Sequence, residues 1–126
     1  MKLLDDLFQI IDFEAIESGF STTIKLMPGH IIYAGHFPGH PVTPGVVQLQ
    51  IVHELMENHL SNGLQLIGID ECKFLKIINP EEQDKIQIFI RYEADNSLLH
   101  LKAFGKYVTE SFFKLRGTYL VIQETE

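Results

Sequence analysis

The stretch that most limits what this chain can fold into runs His36-Phe37-Pro38-Gly39-His40-Pro41-Val42-Thr43-Pro44-Gly45. Prolines and two glycines crowded into eight residues pin the backbone into an extended, tight-turning path that cannot become helical before Pro44. A helix is expected to begin there, with Thr43 as N-cap and Pro44 in the first helical position, where its missing N–H is not needed. Beyond it Val46, Val47, Leu49, Ile51, Val52, Leu55, Met56 and Leu60 leave little of the circumference polar, which reads as a helix buried on most sides. Ser61-Asn62-Gly63 ends it, with Asn62 or Gly63 expected in the left-handed conformation. A histidine on a rigid loop thus opens onto the N-terminus of a buried helix, a place suited to chemistry.

At 126 residues the chain is long enough for one domain with its own core, and residues 1–126 are read as a single unit. The single Cys72 makes no internal disulfide and offers no metal-ligand spacing, which fits a reducing compartment. Asp5 and Asp6 interrupt the leucines after Lys2, so no secretory leader is read, and no apolar run reaches membrane-spanning length. A cytoplasmic location is expected. The formal charge of −7 argues against nucleic acid as a partner. Residues 1–72 hold two basic side chains against nine acidic ones, whereas residues 73–126 hold eight of each. Local basic patches are therefore expected in the later part, around Lys73, Lys76, Lys102, Lys106, Lys114 and Arg116.

Leu3, Leu4, Leu7 and Phe8 are spaced as one face of a short helix. Glu17 to Met27 reads as a strand ended by Pro28-Gly29. After the long helix come four extended segments: Leu64 to Ile78, Asp84 to Glu93, a segment around Leu99, Leu101 and Ala103, and Glu110 to Ile122. Short turns between them predict antiparallel pairing into one curved sheet, which the single helix must cover. The fold class is α+β, the hotdog arrangement of a sheet wrapped around one central helix, whose edges commonly pair across a dimer.

Residues 36–46 resemble the active-site loop of the 3-hydroxyacyl-[acyl carrier protein] dehydratases of fatty-acid synthesis, the HFPGxPxxPG pattern. Lys73-Phe74-Leu75-Lys76 and the Asn79-Pro80 to Asp84 turn resemble that family more loosely, and the likeness covers roughly residues 20–122. It implies catalysis by the loop histidine, here His36, paired across a dimer interface with an acidic residue fourteen positions later. At that position stands Gln50, and one helical turn on, where the family often has glutamine, stands Glu54. The resemblance further implies a backbone N–H at Gly45 for the thioester oxygen, an acyl tunnel lined by Phe37, Pro44, Val46 and Phe74, and no cofactor. The acidic carrier protein would meet Lys73, Lys76 and Arg116.

Dehydration takes a proton from C2 of a 3-hydroxyacyl thioester and expels the C3 hydroxyl, so one group accepts a proton and another donates one. Neutral His36 suits the first role. A carboxyl in an apolar tunnel suits the second, and an amide does not. Three accounts of Gln50 stand open: Glu54 serves as the acid, since i and i+4 share a helix face; His36 works with a water; or the chain is a partner subunit that binds acyl chains or pairs with an active homologue. A hotdog thioesterase is a further alternative. Without the resemblance, His36 and His40 read as turn residues, His53 and His59 as satisfied or surface residues, and Glu54 as solvent-exposed or facing a functional cavity. His30, His36 and His40 lack a carboxylate or thiolate to complete a metal set.

Overall fold

The four segments after the long helix are all strands. The computed structural model describes residues 2–34 and 41–122. In chain order its elements are β1 (Phe8–Ile16), β2 (Gly19–Leu26), α1 (Ile31–Ala34), α2 (Gly45–Leu60), β3 (Leu64–Phe74), β4 (Lys85–Asp95), β5 (Leu98–Tyr107) and β6 (Glu110–Val121). The strands form one sheet in the order β1-β2-β4-β5-β6-β3, and every pairing is antiparallel.

Register decides which side chains share the inner face. Phe20 lies opposite Ile90, Ile90 opposite Ala103 and Ala103 opposite Leu115 across four adjacent strands, and all four are buried. Val47, Ile51, Val52, Leu55 and Met56 of α2 join the same core. Each large apolar side chain so buried is worth roughly 1.5–3 kcal/mol relative to exposure, so packing rather than capping holds α2 on the sheet. One helix over one curved antiparallel sheet is the hotdog architecture read from the element order. Among the described residues no helix is long and apolar enough to cross a membrane.

Several local expectations are corrected. Residues 3–8 are not a helix: Asp5 adopts a left-handed φ of 67° and the Leu7 N–H donates to the Leu3 carbonyl, making a turn that feeds β1. Leu3, Leu7 and Phe8 are nevertheless fully buried. β1 is a strand the sequence reading lacked, because a bulge between Ile10 and Asp12 breaks its alternation. Helix α2 begins at Gly45 with Pro44 in the N-cap position, since the Thr43 hydroxyl is taken by the Tyr33 hydroxyl 2.9 Å away. It ends on Ser61 in the left-handed conformation, one residue before Asn62. Finally, β3 does not pair with β4 but lies at the far edge beside β6. Leu66, Ile67, Ile69 and Phe74 along β3 are exposed, as are Leu75 and Ile77 just beyond it.

Candidate active site

The start of α2 is built by three layers of side chains. The Pro44 carbonyl accepts hydrogen bonds from the N–H groups of Val47 and Gln48, and no side chain caps the helix. This leaves the first N–H groups, Gly45 included, as donors at the positive end of the helix dipole. Phe74 of β3 lies so close over Gly45 that a Cβ there would come within 2.5 Å of its ring, so a larger residue must displace the ring. Thr43 is held beneath, its N–H donating to the Ile78 carbonyl at 2.9 Å and its hydroxyl bonded to Tyr33. Burial raises the pKa of the Tyr33 phenol above the ordinary tyrosine value, and the bond to Thr43 offsets part of the rise. The phenol is thus a neutral structural partner.

Around this helix start runs a groove of about 270 Å³, bordered by Pro44, Gly45, Gln48, Phe74, Lys76 and Ile77. Apolar side chains make one wall and the uncapped helix end makes the other, which suits an acyl chain whose carbonyl oxygen needs hydrogen-bond donors. Pro44 and Phe74 of the expected tunnel lining therefore come together with Gly45. Val46 does not join them: it is 72% exposed and points away. His36 and Phe37 lie outside the described residues, as does His40.

Gln50 and Glu54 serve a different cavity. Nine residues from Gly45, Glu54 sits about 13 Å further along the axis and on the opposite helix face. It is 5% exposed. Its Oε1 accepts from the Leu3 N–H at 2.7 Å and the Leu4 N–H at 2.7 Å, while Oε2 accepts from the Leu3 N–H at 2.9 Å and from Gln50 Nε2 at 2.8 Å. Both oxygens are acceptors, the reverse of the proton-donating role that the shifted-register account requires. Of the two expectations for Glu54, solvent exposure is corrected, because the carboxylate is buried and clasps the N-terminal turn to α2. Gln50 and Glu54 border an open polar cavity of about 460 Å³ together with Lys2, Leu4 and Glu57. Within one chain this pair does not meet the groove at Gly45.

The three basic side chains expected to contact a partner are split. Lys76 lies at the groove and is ion-paired with Glu110. Lys73 faces outward opposite Lys114, and Arg116 faces outward between Lys102 and Glu71. His53 lies near Glu57 and against Tyr119, and His59 bonds the Tyr92 hydroxyl, so both have structural partners. Among the described residues no group of three or more His, Cys, Asp or Glu side chains is arranged to hold a metal. The sequence reading passed over Thr43 as a groove residue and Gln48 altogether. The signal for Gln48 was its place three residues after Gly45, on the same helix face.

The sheet wrapped on one helix, with an uncapped helix start beside an apolar groove, is that of a hotdog-fold protein. The chain belongs to the ApeI-like dehydratase family, whose model matches residues 14–111. Its curated relatives include the 3-hydroxyacyl-[acyl-carrier-protein] dehydratases FabZ of Lactobacillus helveticus, 30% identical over 71 residues (51% of this chain and 48% of the relative), and of Anoxybacillus flavithermus, 35% identical over 69 residues (48% and 49%). The chain thus spans about half the length of the curated relatives it matches. Among solved structures it resembles the dehydratase heterocomplex ApeI:P from Xenorhabdus doucetiae, with a TM-score of 0.71 at 20% identity over 89% of this chain and 96% of that one. A hypothetical thioesterase protein with coenzyme A from Streptococcus pneumoniae aligns at a TM-score of 0.65 and 10% identity, over 94% of this chain and 88% of that one. Both structural likenesses speak to the fold.

Proposed function

We propose that this chain dehydrates a 3-hydroxyacyl thioester, delivered on acyl carrier protein, to the trans-2-enoyl thioester, and that it works in the cytoplasm as a dimer or dimer-based assembly. The observation that carries the reading is the uncapped N-terminus of α2 at Gly45, roofed by Phe74 and open to an apolar groove, nine positions after His36 in the sequence.

In this reading the thioester oxygen sits at the Gly45 N–H, where enolate charge is stabilised as it forms. His36 of one protomer takes the C2 proton, the C2–H electron pair becomes the C2–C3 double bond, and the C3–O bond breaks. The departing hydroxyl needs one proton to leave as water, and the imidazolium just formed holds one. Returning it closes the cycle without a carboxylic acid. Glu54 then fastens the N-terminal turn and orients the Gln50 amide.

A second reading rests on Gln50 standing where the family's acid is expected: a homologous partner subunit supplies the acid, and the Xenorhabdus doucetiae dehydratase that this chain resembles in fold is a heterocomplex. The test supplies a 3-hydroxyacyl thioester to the purified chain and follows both enoyl absorbance and free thiol. Enoyl thioester without thiol release is expected. Thiol release would replace this reading with the thioesterase, and turnover arising only when an acid-bearing homologue is added would establish the second reading.

A further inference from the structure

Behind the groove, between α2 and the sheet, lies a narrow apolar slot with room for about one water-sized group, 10 Å³. Ile24, Ile51, Ile86, Ile88 and Phe113 line it, and Thr43 and Gln48 border both slot and groove. Gln48 is 4% exposed and its Nε2 donates to the Thr43 carbonyl at 3.1 Å. Its Oε1 is buried and meets no donor among the described residues. The Thr43 N–H is committed to the Ile78 carbonyl, and the Thr43 hydroxyl lies 2.9 Å from that of Tyr33. A buried acceptor without a donor is costly and uncommon in native structures.

Gly45 and Gln48 lie on one helix face, and the bond to the Thr43 carbonyl draws the Gln48 amide back to the helix start, where both residues border the groove. In a 3-hydroxyacyl thioester whose carbonyl oxygen is held at the Gly45 N–H, the 3-hydroxyl is only two carbons further on. A hydroxyl is also the size of group that the slot admits. We propose that Gln48 is a substrate-binding residue whose Oε1 accepts the O–H of the substrate's 3-hydroxyl. This rests on the dehydratase reading and names the group that reading lacks, one that recognises the hydroxyl. With its hydrogen committed to Gln48, the hydroxyl oxygen keeps its lone pairs for the proton that converts it to water. The enoyl product has no hydroxyl, returns Oε1 to its unpartnered state and is released in preference to substrate.

The experiment measures binding of two pantetheine analogues in which an amide replaces the thioester, 3-hydroxyhexanoyl and hexanoyl, to the intact protein by calorimetry. The amide makes the C2 proton too weakly acidic to be removed. Wild type is expected to bind the hydroxy analogue about tenfold more tightly, the change one neutral hydrogen bond brings. Gln48→Met should abolish that preference while leaving hexanoyl affinity within about twofold of wild type. Equal binding of both analogues by wild type, or a preference that survives in Gln48→Met, overturns the proposal and leaves an ordered water as the partner of Oε1. Should Gln48→Met not fold, the wild-type comparison decides alone. Enoyl formation from the true thioester is read separately. Hydroxyl preference without enoyl formation supports the Gln48 site and removes the dehydratase reading. Enoyl formation without hydroxyl preference overturns the Gln48 site and keeps that reading.

Discussion

Gly45 is small because Phe74 occupies the space a side chain would need. In Gly45→Ala the new Cβ would meet the Phe74 ring at 2.5 Å, and overpacking of this kind costs about 1–3 kcal/mol. Denaturant unfolding should report that loss, and in a Phe74→Ala background Gly45→Ala should cost almost nothing, because the pair is coupled through one contact. Equal costs in both backgrounds would show that Phe74 is not the constraint. Gly45 at the helix start was legible in the sequence because local spacing sets it, whereas the expectation for His36 lies outside the described residues. Glu54 was not legible. Its partners are backbone amides at Leu3 and Leu4, about fifty positions away, and no periodicity along α2 points to them. Gln48 was hidden for the opposite reason, a polar side chain on a helix being usually turned to water.

At the scale of elements, the clasp makes the N-terminal turn part of α2's environment. Glu54→Ala strands the Leu3 and Leu4 N–H groups, and unsatisfied donors of this kind cost roughly 2–4 kcal/mol in total. Hydrogen exchange should show the Leu3 and Leu4 amides losing protection before the amides of α2 do. Protection unchanged from wild type would remove the clasp. Strands β4, β5 and β6 were readable because each alternates cleanly and short turns join them. Strand β1 was not, since its bulge between Ile10 and Asp12 puts successive apolar residues out of phase. The placement of β3 beside β6 was equally hidden: nothing in Leu64 to Phe74 says which strand it meets, and the choice is made by the apolar face that pairs Cys72 with Leu115 and Phe74 with Phe113.

Over the whole molecule, β3 is a sheet edge carrying Leu66, Ile67 and Ile69 in water, the kind of edge that native proteins pair or protect. Edge-to-edge pairing of two copies along β3, the dimer proposed above, would satisfy it. It also fits the separation of the groove at Gly45 from Gln50, which no single chain closes. Ile67→Lys, at 54% exposure, should leave the monomer folded while sedimentation shows loss of the dimer and turnover falls with it. A dimer that persists would place the interface elsewhere. The most direct test of the account is turnover of a 3-hydroxyacyl thioester by wild type and by His36→Ala, with circular dichroism establishing that both are folded. The account predicts a fall of about 10²–10⁴-fold, the range for losing a general base; equal rates would contradict it.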